Sequence, residues 1–147
     1  MKTLPAPTIA DAELASRLRL AVTRLARRLR TQLPGELSPS QLATLATVER
    51  LGPLTLGELS AAERVKPPTM TKIVACLEEQ GLVSRTVDQS DRRVARVEAT
   101  AEGRRFLDQS RRRKDAYLAE RLRGLDSADR EALERAAAVL ERLLEAE

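Results

Sequence analysis

The chain has no histidine and no tryptophan, a single cysteine, and only Phe106 and Tyr117 as aromatic residues among its 147. Each shortage removes a class of chemistry. Histidine is the commonest general base and metal ligand, and no cysteine cluster, Gly-rich phosphate loop or G-x-S-x-G elbow takes its place. Neither an enzyme nor a protein with a metal or cofactor is therefore expected. Cys76 alone closes no intrachain disulfide, which fits a reducing compartment. Two aromatic rings supply almost no stacking platform for unpaired bases, so duplex DNA is favoured over single strands or RNA as a nucleic-acid ligand. No apolar run approaches the roughly 18 residues of a membrane span, and the opening MKTLPAPTIADAEL lacks a signal-peptide core. The expectation is a soluble cytoplasmic protein, large enough to bury a core as one compact unit or as two lobes sharing helices.

Charge is present, but its total says little. The formal net charge is +4. Residues 38 to 100 carry eight Lys or Arg against eight Asp or Glu, residues 1 to 37 carry seven against three, and residues 101 to 147 eleven against eleven. A polyanionic partner must then be recognised through the placement of Lys66, Lys72, Arg85, Arg92, Arg93 and Arg96.

The residues from Leu54 to Thr100 carry the organisation. Thr55 followed by Glu58 is a capping box, so a short helix starts at Leu56, with Leu59 and Ala62 on one side. Glu63, Arg64 and Val65 make a turn, because Pro67 suits the first turn of a new helix opening at Lys66 or Pro67. Along that second helix Met70, Ile73, Val74 and Leu77 recur at three- and four-residue steps, leaving Thr69, Thr71, Lys72 and Ala75 on or near the other side. Gly81 ends it. Leu82, Val83, Arg85 and Val87 read as a strand, DQSDRR as a tight turn, and Val94, Arg96, Val97 and Glu98 as the return strand. Thr100 caps the next helix. This order is that of a winged helix-turn-helix.

Amphipathic helices flank it. Leu14, Leu18, Val22, Leu25, Leu29 and Leu33 form a stripe on a helix of about five turns that ends before Pro34 and Gly35. Ser38, Pro39 and Gln41 start another helix through Leu42, Leu45, Val48 and Leu51, stopped by Gly52 and Pro53. A long helix runs from Ala101 to about Arg123, and a last one from about Ser127 carries Leu133, Ala136, Ala137, Leu140, Leu143 and Leu144. The fold class is mainly α with a small β-hairpin wing: residues 38 to 100 form the reader, and residues 1 to 37 and 101 to 147 a helical region whose apolar stripes call for a second copy.

Over almost its whole length, through the helix order, the segment PPTMTKIVACLEEQGLV and the wing DQSDRR followed by VEATAEG, the chain resembles the MarR family (multiple antibiotic resistance regulator) of transcription factors. The resemblance implies a homodimer with interdigitating terminal helices that binds double-stranded DNA at a pseudo-palindromic operator. It also implies repression relieved by oxidation or by a small-molecule effector in the crevice between the DNA-binding and dimerisation regions. Carried over by position, Lys66, Pro67, Pro68, Thr69, Thr71, Lys72 and Ala75 match major-groove and backbone contacts, and Arg93, in an Asp-x-Arg pattern with Asp91, matches a minor-groove arginine. Physical reasons accompany this: backbone N–H groups at a helix start favour phosphate, Lys72 reaches a phosphate or a guanine edge, and a narrow minor groove concentrates negative potential. Many relatives carry serine where Pro67 stands, so one hydroxyl contact is absent here.

Each assignment has a plainer rival. Arg92 and Arg93 solubilise a hairpin tip in that reading; their place in the pattern favours DNA contact, Arg93 ahead of Arg92. Asp91 reads as a turn former that also orients Arg93. Cys76 reads as inert and the run Arg111 to Lys114 as a solvated helix face. For the whole chain the rivals are a winged-helix protein-interaction module and a non-specific architectural DNA binder. Salt-sensitive duplex binding separates the first from a regulator, and a preferred palindrome separates the second.

Overall fold

The computed structural model describes residues 6–32 and 37–146. The elements run α1 (Ile9–Arg30), α2 (Pro39–Leu51), β1 (Leu54–Thr55), α3 (Leu56–Glu63), α4 (Pro67–Glu79), β2 (Val83–Val87), β3 (Ala95–Ala99), α5 (Ala101–Leu122) and α6 (Ser127–Glu145). The helix-rich winged pattern is thus the observed one. Leu33, Pro34 and Gly35, where α1 was expected to end, lie outside the described residues.

Local chemistry sets the helix starts. Capping boxes open α1 (Thr8 with Asp11), α2 (Ser38 with Gln41) and α3 (Thr55 with Glu58), each satisfying backbone N–H groups that the first turn leaves unpaired. Only the Thr8 box was not read from sequence. It extends α1 upstream of the Leu14 stripe to 22 residues. At the start of α5 the Thr100 hydroxyl accepts from the Gly103 N–H at 3.1 Å and donates to the Gly81 carbonyl at 2.6 Å, tying the helix to the end of α4. Gly81 itself sits at φ 72°, a left-handed position suited to glycine.

The core gathers Leu45 and Val48 of α2, Leu59 of α3, Met70, Ile73, Val74 and Leu77 of α4, and Val83, Val97 and Leu107 around the sheet and α5. Two expectations are corrected here. Ala62 is exposed and Ser60 is buried, because α3 turns the face of Leu56, Leu59, Ser60 and Glu63 inward. Glu63 is held there by the Thr47 hydroxyl, which donates to its carboxylate. Leu51, in the last turn of α2, is 52% exposed and lies outside the core.

The sheet has three antiparallel strands in the order β1-β3-β2, not two. Leu54 pairs with Val97 and Thr55 with Arg96, so the residue that caps α3 also closes the sheet edge. Two residues are too few to show alternation. The hairpin register pairs Val83 with Ala99 and Val87 with Ala95. Leu82 and Val94, expected inside strands, fall just outside them, and Val94 instead takes part in the tip, its carbonyl accepting from Asp88 at 2.8 Å.

Neither α1 nor α6 has a buried residue. Leu14, Leu18, Val22 and Leu25 are 40–55% exposed, and Leu143 and Leu144 are 61% and 75% exposed. Among the described residues no helix is long and apolar enough to cross a membrane.

Candidate nucleic-acid interface

The periodicity of α4 divides it cleanly. Met70, Ile73, Val74 and Leu77 are buried, while Pro67, Pro68, Thr69, Thr71, Lys72 and Ala75 are exposed together with Lys66 at the N-cap. All seven candidate residues at and along α4 are therefore exposed, and they are small, polar or basic in character. The Thr71 hydroxyl donates to the Pro67 carbonyl at 3.0 Å. Its proton is thereby committed to the helix, which leaves Thr71 as an acceptor for an amino group on a base edge.

The start of α4 departs from the physical reason given for its phosphate contact. Pro67 and Pro68 have no N–H, and the N–H groups of Thr69 and Met70 both go to the Lys66 carbonyl at 3.0 Å. Backbone donors are thus not on offer there. Side chains must supply what a phosphate needs.

The wing is a tight loop held by its own acids. Asp88 accepts from the Ser90 hydroxyl at 2.6 Å and from its N–H at 2.9 Å. These two bonds, the hydroxyl first, hold the Asp88 carboxyl below its ordinary pKa of 3.8, against an opposing effect of burial and with Arg96 adding a smaller attraction. Asp91 accepts from the Arg93 N–H at 3.1 Å, and its carboxylate lies 3.6 Å from the Arg93 Nε. Arg93 nevertheless projects, its side chain 94% exposed, and Arg92 is exposed beside it.

Of the six cations expected to set the local field, three are paired, Arg93 with Asp91 as above and two with acids of other elements. Arg85 donates to Glu78 at 2.9 Å. Arg96 lies 3.5 Å from Asp88 and 3.8 Å from Glu58. Since Glu58 also caps α3, Arg96 ties the base of the wing to the start of that helix. It positions the loop and does not itself remain free for a ligand. Sequence reading missed this role because Glu58, Asp88 and Arg96 meet only through the β1-β3-β2 pairing. Arg64 was read only as part of a turn; it is exposed, between α3 and α4, with φ 52°.

Behind the reader, α1, α2 and α5 enclose an open cavity of about 360 Å³ lined by Arg30, Leu42, Ala46, Leu107, Ser110 and Lys114. Ser110 is 1% exposed and its hydroxyl has no partner among the described residues. Arg111, on the same rim, donates to Glu49 at 2.8 Å, joining α5 to α2, and this bond raises the Arg111 pKa. Cys76 is half-buried, its Sγ accepting from the side-chain amides of Gln41 at 3.2 Å and Gln80 at 3.4 Å.

Comparisons with known proteins agree on the architecture. A family model described as the MarR family matches residues 37–95. An HTH-type transcriptional regulator of Mycobacterium bovis is 39% identical over 128 residues, covering 86% of this chain and 90% of that one. One of Mycobacterium leprae is 40% identical over 136 residues, covering 92% and 95%. Among solved structures, a putative transcriptional regulator of Pseudomonas aeruginosa matches with TM-score 0.83 at 36% identity, over 94% of this chain and 98% of that one. A MarR family protein of Bacillus stearothermophilus matches with TM-score 0.74 at 28% identity, over 91% and 94%.

Proposed function

This chain belongs to the MarR family of HTH-type transcriptional regulators, and from that footing we propose that it is a cytoplasmic homodimeric repressor that binds a pseudo-palindromic duplex operator and lets go when a small molecule binds. The observation that carries this reading is the division of α4, apolar residues inward and Thr69, Thr71, Lys72 and Ala75 outward, beside a wing that projects Arg93. An exposed helix face of that composition fits a major groove, and an arginine on a narrow loop fits a minor groove. Asp91 orients that arginine. Residues 38 to 100 are the DNA-binding domain.

The flanking regions, residues 1 to 37 and 101 to 147, supply the dimer through α1, α5 and α6. Their leucines line a groove of about 400 Å³ among α1, α5 and α6, through exposed Leu25, Leu133 and Leu140 and half-buried Leu118 and Leu122. A second copy covering these faces removes apolar surface from water and holds two α4 helices about one turn, or 34 Å, apart. The cavity among α1, α2 and α5 is the effector site of this reading. Its apolar floor, cationic rim and unpartnered Ser110 hydroxyl suit a small apolar acid, whose binding shifts α2 against α5 and so changes the spacing of the readers.

Gel-shift titration on duplexes enriched from a random pool tests the proposal. A regulator gives salt-sensitive binding with a preferred palindrome by roughly a thousandfold. Equal affinity for all duplexes indicates an architectural binder, and no duplex binding indicates an interaction module.

A further inference from the structure

The two prolines that open α4 leave a gap in the interface. A helix start ordinarily presents unpaired N–H groups to a phosphate. Here the first two positions have none, and the next two N–H groups are spent on the Lys66 carbonyl. Lys66 itself makes no side-chain capping bond. Any phosphate lying across this point must be held by side chains.

Immediately before it stands Arg64. Its backbone ends α3 in the left-handed region, φ 52° and ψ 43°, where glycine is unstrained and a β-carbon is crowded. The job of its backbone, an N–H donated to the Ala61 and Ser60 carbonyls, needs no particular side chain. Yet the position holds one of the longest. That side chain is exposed and forms no ion pair among the described residues, whereas Arg85 and Arg96 are tied to Glu78, Glu58 and Asp88. With Lys66 two residues later, Arg64 brackets the entry of the reading helix with two cations.

We propose that Arg64 is a phosphate-binding residue of the DNA interface, supplying from the turn the donors that Pro67 and Pro68 remove from the helix start. This rests on the duplex-binding reading above. A guanidinium offers a planar fork of N–H groups that matches two phosphate oxygens, and it reaches further than a backbone amide. Such an interaction adds affinity and fixes register without reading bases. The strained conformation is kept because the cation is useful there, not because the turn requires it.

The test compares the full chain, Arg64→Gly and Arg64→Lys by fluorescence anisotropy on an enriched duplex and on an unrelated one, between roughly 50 and 200 mM salt. Glycine removes the cation and relieves the backbone, so the thermal midpoint should equal or exceed that of the parent chain. Affinity should fall by roughly tenfold on both duplexes, and the slope of log K against log salt should become shallower by about 0.9 for each phosphate that Arg64 neutralises. Lysine should keep the slope and most of the affinity. A glycine variant with unchanged affinity and slope overturns the assignment, as does a weakening confined to the enriched duplex. If the parent chain binds neither duplex, the duplex-binding reading fails and Arg64 falls with it.

Discussion

Gly103→Ala probes how the reader is joined to the long helix α5. Gly103 is buried, in the first turn of α5, and a β-carbon there would lie 2.1 Å from the Leu82 carbonyl oxygen and 3.2 Å from the Leu45 Cδ1. An ordinary carbon–oxygen contact is about 3.2 Å or more, so the helix start must retreat by about 1 Å. The Leu82 carbonyl also accepts from the Thr100 N–H at 3.1 Å, a bond the retreat weakens. Overpacking of this kind costs about 1–3 kcal/mol and a broken hydrogen bond about 1 kcal/mol. Helix propensity works the other way, favouring alanine by at most about 1 kcal/mol. The clash wins. A net destabilisation of about 1–3 kcal/mol corresponds to a fall of roughly 3–10 °C in the thermal midpoint, read by circular dichroism. An unchanged or higher midpoint would refute the claim that α5 is seated on the Leu82 carbonyl, because propensity alone would then have decided the sign.

Four further outcomes follow from the same geometry. Arg93→Ala should weaken duplex binding by roughly tenfold with the dimer intact in ultracentrifugation, and an unchanged titration removes Arg93 from the interface. Arg96→Ala should speed amide exchange at Asp88 and Val94 while the β2–β3 pairing persists; unaltered exchange shows that its ion pairs do not hold the wing. The Asp88 carboxyl, with its folded pKa below 3.8, contributes stability that is present above the unfolded value and lost as pH falls through the folded one. Its NMR titration midpoint should therefore lie under 3.8 and rise in Ser90→Ala, and a midpoint unmoved by that change contradicts the assigned cause. Leu59→Ala, at a residue 0% exposed, should cost about 2–5 kcal/mol in urea unfolding, and a cost under about 1 kcal/mol means the site collapses around the smaller side chain.

Much of this fold is legible in the sequence because its helices announce themselves locally. Ser38 with Gln41, Thr55 with Glu58, Pro67 at a first turn and Thr100 before Ala101 are short-range signals, and each sits where the structure places a helix start. The inward face of α4 follows from its period alone. Long-range pairing was not legible. β1 has only two residues and exists because Val97 and Arg96 lie alongside. Arg85 and Arg96 counted as free cations until the fold brought Glu78 of α4 to the first and Glu58 and Asp88 to the second. The missing N–H groups of Pro67 and Pro68 were visible as letters, yet their meaning depends on where the next donors go, and the Lys66 carbonyl takes both. Arg64 hid in the same way, since a positive φ on a non-glycine residue has no reliable sequence mark.

The most direct measurement is selection of bound duplexes from a random pool by the intact chain, followed by sequencing. A dimer with two α4 helices in successive major grooves should enrich an inverted repeat whose half-sites are about 10 base pairs apart, centre to centre. Enrichment of single unrepeated half-sites, or none at all, would contradict a paired reader built on α4 and its arginine-tipped wing.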